Sequence, residues 1–531
     1  MGKFSKDAKT VQEKVETHPQ ATTNYEGGLA FDMEPLTKLY TMASATLLED
    51  RFYASAKEGQ EQLLEAVHEV GESYPLFLLK LAAYLRSEMN LRSAPVMLLV
   101  EATQYLRGTS YIRQYAPRIL QRADEPREAV AYWVSRFGDR GSEGPSQMGF
   151  SGLKKGIAAT LPRFDAYQLA KYWGKGKSVT MRDVFRIARP KPRSDEQRQL
   201  WGQAVSGELP IPDTWETHLS TKGASKETWE GILPQMGIMA KVRNLRNLLQ
   251  NDVDSNLIQE YIIKPLTDPD VIAKSRQFPY RFYSAYQVLS PDVYGEWGYH
   301  SRGRKEGETV AHPMYAPVLA ALEVAVNHSV ANVPKLSGRT FITCDNSGSM
   351  TKEVSGKSVI SCFEIANLLG AVAVKLSGNP LLSVFGTSHQ VVAATSMDSV
   401  FGIMRKLRDT GSGGATNAYL TIEYLSENQV FVDRIILFSD MQCWHSGGGY
   451  WGRAERSLAT EWEKYKRLCT QNGKPIPYVY SVDLAGYGTA QFLPEDPHVA
   501  LLSGWSDAIF KFIGVFEEDK KSAVQRIAEG W

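Results

Sequence analysis

Arg339-Thr340-Phe341-Ile342-Thr343-Cys344-Asp345-Asn346-Ser347-Gly348-Ser349 decides the fold of the C-terminal part of this chain. Its first six residues are apolar and β-prone and follow Ser337-Gly338, which predicts a short buried strand. The strand ends in a turn carrying one carboxylate and two hydroxyls. Asp345, Ser347 and Ser349 stand at alternate positions, so their oxygens can converge on one hard cation. Mg²⁺ takes roughly octahedral oxygen coordination at about 2.0–2.1 Å and keeps several waters, so few protein ligands suffice. Such a site is incomplete alone, and its open position would await a carboxylate or other acceptor from a partner. The same spacing is also a common turn, because Asp and Ser bond to their own backbone. The segments that follow weigh against the bare turn.

Gly413-Gly414-Ala415-Thr416-Asn417 is a glycine-rich loop with a hydroxyl, and Arg434-Ile435-Ile436-Leu437-Phe438-Ser439-Asp440 is another apolar strand ending in aspartate. In an open α/β sheet, ligand sites lie outside the carboxyl ends of the strands, so all three segments put oxygens on one edge. This order of segments resembles the von Willebrand factor A (vWA) domain and its metal-ion-dependent adhesion site. The resemblance implies Asp345, Ser347, Ser349, Thr416 and Asp440 as direct or water-mediated ligands of a divalent metal, Mg²⁺ above all. Ala415 stands where the family often has threonine, so the register at Thr416 is open by one residue.

A chain of 531 residues predicts about two to four domains. With 43% hydrophobic and 22% charged residues it is ordinary globular material. Sixty basic residues face 59 acidic ones. From Gly338 onward there are 18 basic and 20 acidic residues, leaving 42 and 39 before it. Neither part is a polycation, so any nucleic-acid binding must be patchy. Cys344, Cys362, Cys443 and Cys469 form no Cys-x-x-Cys pair, and no histidines have zinc spacing. Without a disulfide framework, a reducing cytoplasm is the expected compartment. The opening MGKFSKDAKTVQEKVETHPQ is polar, so no signal peptide is expected, and no apolar run is long enough to span a bilayer.

Residues 1–20 are expected to be a flexible tail, 21–336 a helical region and 337–531 an α/β domain. Pro75 to Leu85, Ser93 to Ala102, Pro126 to Val134, Met239 to Leu249 and Pro317 to Val326 all carry helical apolar patterns. Many helices with Pro- or Gly-marked breaks predict a helical-repeat array, degenerate because no clean period is visible; an irregular helical domain is the alternative. After Gly338, strands alternate with helices: Phe341 to Cys344, a helix over Ser358 to Leu369, Pro380 to Phe385, Ile435 to Phe438, and Tyr478 to Leu484. Alternation of this kind predicts a mainly parallel, doubly wound sheet. A final helix is expected over Glu518 to Ala528.

Lys154 to Arg193 is the second informative stretch. It holds 11 basic residues and two acids, Asp165 and Asp183. Phe164, Tyr167, Tyr172, Trp173 and Phe185 interleave with the charges. Lys and Arg neutralise phosphates, and aromatic faces accept unpaired bases. Arg182, Arg186 and Arg189 fall at i, i+4 and i+7, which predicts one cationic helix face. A solvated surface helix is the plainer reading, and the scarcity of acids favours binding. Gly176-Lys177-Ser178 imitates the end of a phosphate-binding loop, but Lys171 stands where the first glycine belongs. No Gly-x-Ser-x-Gly nucleophile is present.

Taken whole, residues 20 to 531 resemble a bacterial member of the Ro autoantigen family, with a TROVE domain and a C-terminal vWA domain. Asn24-Tyr25-Glu26-Gly27-Gly28, Lys171-Tyr172, Asp183-Val184-Phe185-Arg186-Ile187-Ala188-Arg189-Pro190-Lys191-Pro192, Met239-Ala240-Lys241-Val242-Arg243-Asn244-Leu245, His312-Pro313 and the Asp345 motif carry the resemblance, in that order. It implies a ring of HEAT-like repeats closed by the vWA domain. It implies a non-catalytic protein of RNA quality control, processing or decay. The implied partners are small noncoding Y RNA, misfolded or precursor structured RNAs with single-stranded 3′ ends, and an exoribonuclease such as polynucleotide phosphorylase. Lys171, Lys175, Lys177, Arg182, Arg186, Arg189 and Lys191 become RNA contacts. The alignment leaves Lys175 and Lys177 as alternatives, and Arg189 stands where relatives carry His. Arg243 and Arg246 follow, with pairing inside the helical core the alternative for Arg243. The competing reading is a helical-repeat and vWA scaffold that grips a partner protein through Mg²⁺ without RNA. A metal-dependent nuclease lacks a catalytic base. No self-pairing strand or heptad run is present, so a monomer is the default, with no membrane partner.

Overall fold

The computed structural model describes residues 14–25, 27–45, 56–138, 147–173, 177–210, 213–290, 312–351, 360–443, 456–504 and 508–531. Lys175 and Glu26 lie outside these residues. The chain divides into two compact units, one of Gln60–Thr221 with Val524–Trp531, the other of Met1–Gly59 with Lys222–Ala523.

The first unit is helical. Pro75–Ser87 starts with proline in its first turn, where the missing N–H costs nothing. Ser93–Ala102 packs on it and is buried from Ala94 to Ala102, so this helix is apolar all round rather than striped. Tyr111–Ile119 follows, and Glu125 begins the helix after it, Glu125–Phe137, with Pro126 in its first turn as the sequence implies. The buried Glu125 carboxylate faces Arg86 at 3.1 Å and accepts from the peptide N–H groups of Gln121 and Arg122 at 2.6 and 2.9 Å. Arg92 lies 3.8 Å from the same carboxylate, so removing Glu125 costs more than removing Arg86, because it leaves the Arg86 guanidinium buried without its carboxylate.

The second unit is built on sheets. Strands β1 (Ala21–Thr23) and β2 (Leu29–Asp32) form a hairpin. They are followed far along the chain by β3 (Leu336–Asp345), β4 (Ser377–Phe385), β5 (His389–Val392), β6 (Arg434–Ser439), β7 (Tyr478–Asp483), β8 (Thr489–Ala490) and β9 (Val499–Ser503). The main sheet has the order β5-β4-β3-β6-β7-β9, parallel except for the antiparallel edge pair β4–β5. Its central strands are buried along nearly their whole length, which is why β3 and β6 read as continuous apolar runs. Gly338 has φ +76° at a register shift in β3, where an added Cβ would meet the Asp433 carboxylate at 2.5 Å. The bulge therefore requires glycine.

Cys362–Leu376 covers the sheet and begins with a capping box, in which Ser361 and Glu364 bond each other's backbone N–H. Expected between 358 and 369, this helix starts later because the cap is Ser361. The expected last helix is two, Ala508–Asp519 and Ala523–Gly530, separated at Lys520 with φ 60°. The described part of the expected N-terminal tail is packed: Val15 is fully buried with Phe31 and Met33. The hairpin continues into β8, with Phe31 opposite Ala490. The helical region is not one compact body, since Lys226–Ile232, Ile238–Arg243, Pro279–Leu289 and Tyr315–Ser329 belong to the unit that holds the sheet. No described helix is long and apolar enough to cross a membrane.

Candidate metal centre and cationic surface

β3 and β6 are parallel neighbours with Cys344 opposite Phe438, so the residues after them emerge side by side at the carboxyl edge. Asp345 is fully buried there, and Ser347, Ser349, Thr416 and Asp440 are buried with it. The Ser347 N–H donates to Asp345 Oδ1 at 2.9 Å, and the Ser347 and Ser349 hydroxyls lie 3.3 Å apart. The Ser439 hydroxyl donates to Asp345 Oδ2 at 2.5 Å, and the Gln442 N–H to Asp440 Oδ1 at 3.1 Å. The glycine-rich loop is tied to this turn by the Gly348 N–H, which donates to the Gly414 carbonyl at 3.0 Å. Thr387 and Gly386 hold the loop from the other side through Ala415 and Asn417.

Burial raises Asp345 well above the ordinary carboxylate range, and the negative charge of Asp440 adds to the rise. Two carboxylates out of solvent with no cation between them repel each other. The donors are all hard oxygens, which suits Mg²⁺ and argues against the softer metals. Among the described residues no group of three His, Cys, Asp or Glu has metal-holding geometry; hydroxyls supply most of this donor set.

Sequence reasoning missed three participants. Ser439 clamps Asp345. Asp483 ends β7 directly opposite Ser439 and accepts from the N–H groups of Ala485 and Gly486 at 2.9 and 2.7 Å. Its place near the end of the expected strand Tyr478 to Leu484 was the available signal. Gln442 reaches the third element, the β1–β2 hairpin, by accepting from the Tyr25 N–H at 2.8 Å. Asn24 Nδ2 donates to the Cys443 carbonyl at 2.7 Å, while its Oδ1 accepts from Gly28 at 2.9 Å. A Cβ on Gly28 would lie 2.2 Å from that carbonyl. The Asn24-to-Gly28 motif thus buttresses the segment after Asp440.

The cationic stretch Lys154 to Arg193 lies wholly in the other unit, and its residues divide by what they already hold. Lys177, Arg186, Arg189 and Lys191 are exposed. Arg182 is partly buried and donates to the Ser206 carbonyl at 3.0 Å, clipping Met181–Ala188 to the end of Asp195–Ser206. Lys171 pairs with Glu216 at 2.9 Å and lies near the Tyr167 and Tyr172 rings. Burial opposes its charge, yet Glu216 outweighs burial and holds the ammonium above its ordinary value. The predicted single helix face of Arg182, Arg186 and Arg189 is not formed. The helix ends at Ala188, and Arg189 caps it with φ 47°. Pro190 is the physical reason, because a residue before proline avoids the right-handed helical region.

Arg243 and Arg246 lie in the sheet-bearing unit, Arg243 at the exposed end of Ile238–Arg243 and Arg246 partly buried in Leu245–Gln250. The core alternative for Arg243 is not realised; its neighbour Lys241 is buried instead, with its ammonium over the Tyr261 ring. His312 is a structural residue whose Nε2 lies 2.8 Å from the Val253 carbonyl and whose Nδ1 accepts from Met314.

Comparison with known proteins adds the following. The TROVE domain matches residues 9–207 and 199–292, and the Ro60 vWA domain matches residues 339–448. "Telomerase protein component 1" of Rattus norvegicus is 22% identical over 334 residues, covering 47% of this chain and 13% of that protein. "RNA-binding protein RO60" of Caenorhabditis elegans is 24% identical over 229 residues, 43% of this chain and 34% of that protein. The chain therefore spans about a third or less of the length of these relatives. The crystal structure of the Deinococcus radiodurans RO (RSR) protein superposes with a TM-score of 0.62 at 18% identity, over 90% of this chain and 99% of that one, which shows a shared fold.

Proposed function

This chain belongs to the TROVE-domain family in its Ro60 form, with a vWA domain, and from that premise we propose that it is a non-catalytic RNA-binding protein. The observation that carries the reading is the set Lys177, Arg186, Arg189 and Lys191. All four are exposed, and none forms an ion pair with a carboxylate among the described residues. Cations without a carboxylate partner can meet backbone phosphates without breaking an ion pair. Lys171 joins them once Glu216 is displaced, and Tyr167, exposed beside it, offers a ring face to a base.

The finer reading follows the family. The RNAs are Y RNA and structured RNAs, misfolded or precursor, with single-stranded 3′ ends, held by HEAT-like helices in RNA quality control. An exoribonuclease is the protein partner, in a cytoplasmic setting, and the chain acts as a monomer. Asp345, Ser347, Ser349, Thr416 and Asp440 would hold a divalent cation, Mg²⁺ by donor chemistry. When bound it relieves the repulsion between the two carboxylates and offers a position to an acceptor from a partner. The protein's own part is to keep those oxygens buried and oriented, through Ser439, the glycine loop and the hairpin of Asn24.

Binding of a labelled structured RNA, with and without a single-stranded 3′ tail, across a salt series tests the function. The reading expects tail-dependent affinity that falls steeply with salt, with a slope of about −0.7 per phosphate contacted on a single strand. Absence of binding to either RNA would overturn it in favour of a protein-only scaffold.

A further inference from the structure

Beside the cations already assigned to RNA, the helical unit has a pocket of about 450 Å³ lined by Pro117, Arg118, Ala159, Thr160, Pro162, Arg163 and Arg193. Three of its seven lining residues are arginines, and none is acidic. Arg163 is held in place by donating to the Pro117 and Leu120 carbonyls at the end of Tyr111–Ile119. Gln197 fixes the opposite wall, accepting from the Arg193 N–H at 2.9 Å and donating to the Pro162 carbonyl at 3.3 Å. The nearby acids are engaged elsewhere. Asp165 caps its own helix through Gln168, and Asp195 lies 3.8 Å from Arg198. Arg118, Arg163 and Arg193 form no ion pair among the described residues.

We propose that this pocket binds the terminal phosphate monoester of a nucleotide. Guanidinium forks match phosphate oxygens in pairs. A backbone phosphodiester brings one negative charge, whereas a monoester brings about 1.5 to 2 at neutral pH. Three uncompensated arginines in one concavity fit the second better. The volume falls in the range of roughly 300–1,000 Å³ usual for small-ligand sites, so a nucleotide fits where a bare phosphate would leave most of the space open. Resting on the RNA-binding reading for its source, the ligand is a phosphorylated RNA end; a free nucleoside monophosphate carries the same chemistry.

The test uses the full chain and one internally labelled single-stranded oligoribonucleotide, prepared with hydroxyl ends, with a 5′-phosphate and with a 3′-phosphate. The variant is Arg118→Gln with Arg193→Gln; both side chains are exposed, and Arg163, which anchors the wall, is retained. Binding about tenfold tighter to one phosphorylated end is expected, consistent with charge-assisted pairing. The variant should lose that preference, its affinity for the phosphorylated RNA falling to that for the hydroxyl RNA, which itself falls much less. Adenosine monophosphate, titrated separately into wild type and variant, supplies the other arm. If no RNA binds but the nucleotide binds wild type alone, the pocket stands with a free nucleotide as its ligand, and the RNA reading falls. If hydroxyl and phosphorylated RNAs bind equally and the nucleotide does not bind, the pocket proposal is overturned while the RNA reading survives. A preference undiminished in the variant also overturns it.

Discussion

Asn24 and Cys443 are 419 residues apart in sequence, yet the Asn24 side chain donates to the Cys443 carbonyl at 2.7 Å. The bond is buried, and the same asparagine organises its own hairpin through Gly28. Replacing Asn24 with alanine leaves both the carbonyl and the Gly28 N–H short of a partner. The expected cost is about 1–3 kcal/mol of stability, measured by urea unfolding. Gly28→Ala should cost at least as much, because its Cβ has no room beside that carbonyl. A variant of either kind that unfolds like wild type would show that the hairpin does not brace the segment after Asp440.

Asp345→Asn provides a test of the metal. Millimolar Mg²⁺ should raise the melting temperature of the wild type and leave the variant unmoved, since ligands stabilise only the state that binds them. In metal-free buffer the variant should melt no lower than wild type, because the repulsion with Asp440 is gone. Equal responses to Mg²⁺ would dismiss this donor set.

The cationic residues separate into two predicted phenotypes. Arg186→Glu should weaken RNA binding and reduce the salt slope by about one contact. Arg182→Ala should instead lower the melting temperature and leave the salt slope alone, because its guanidinium serves the Ser206 carbonyl. Glu216→Gln should strengthen RNA binding by about twofold to tenfold by releasing Lys171 from its ion pair. Salt-dependent binding measurements on the three variants decide the assignment.

His389 predicts an acid sensitivity. Burial lowers its pKa from 6.5 to about 4, its Nε2 has no hydrogen-bond partner, and its ring packs on Tyr424 with centroids 4.9 Å apart. The folded state keeps the ring neutral while the unfolded chain takes up a proton. This contribution is therefore full above pH 6.5 and is lost as pH falls through about 4. Over that window His389→Gln should flatten the stability profile by at most about 3 kcal/mol, followed by denaturation at stepped pH.

What could be read from the sequence was whatever local pattern decides. β3 and β6 showed themselves as apolar runs leading to an aspartate, whereas the Ser361–Glu364 cap that sets the start of the next helix was not read. Asp345, Ser347 and Asp440 follow from those strand ends. The partners of charged side chains were not legible, because Lys171 meets Glu216 and Arg182 meets Ser206 through folding alone. The unformed arginine face is a different case, since Pro190 was in plain view and sets the end of the helix. β8 is two residues long and carries no periodicity at all, so its pairing with β2 could not be foreseen.

That pairing sets an order of events during synthesis. Asp32 is made first, and its partner Thr489 follows 457 residues later. At about 5–20 residues per second the hairpin waits on the order of 20–90 s with one edge uncovered. The sheet that braces the candidate metal centre is thus completed only after β8 has been made. A nascent chain stalled before β8 cannot present this site in finished form.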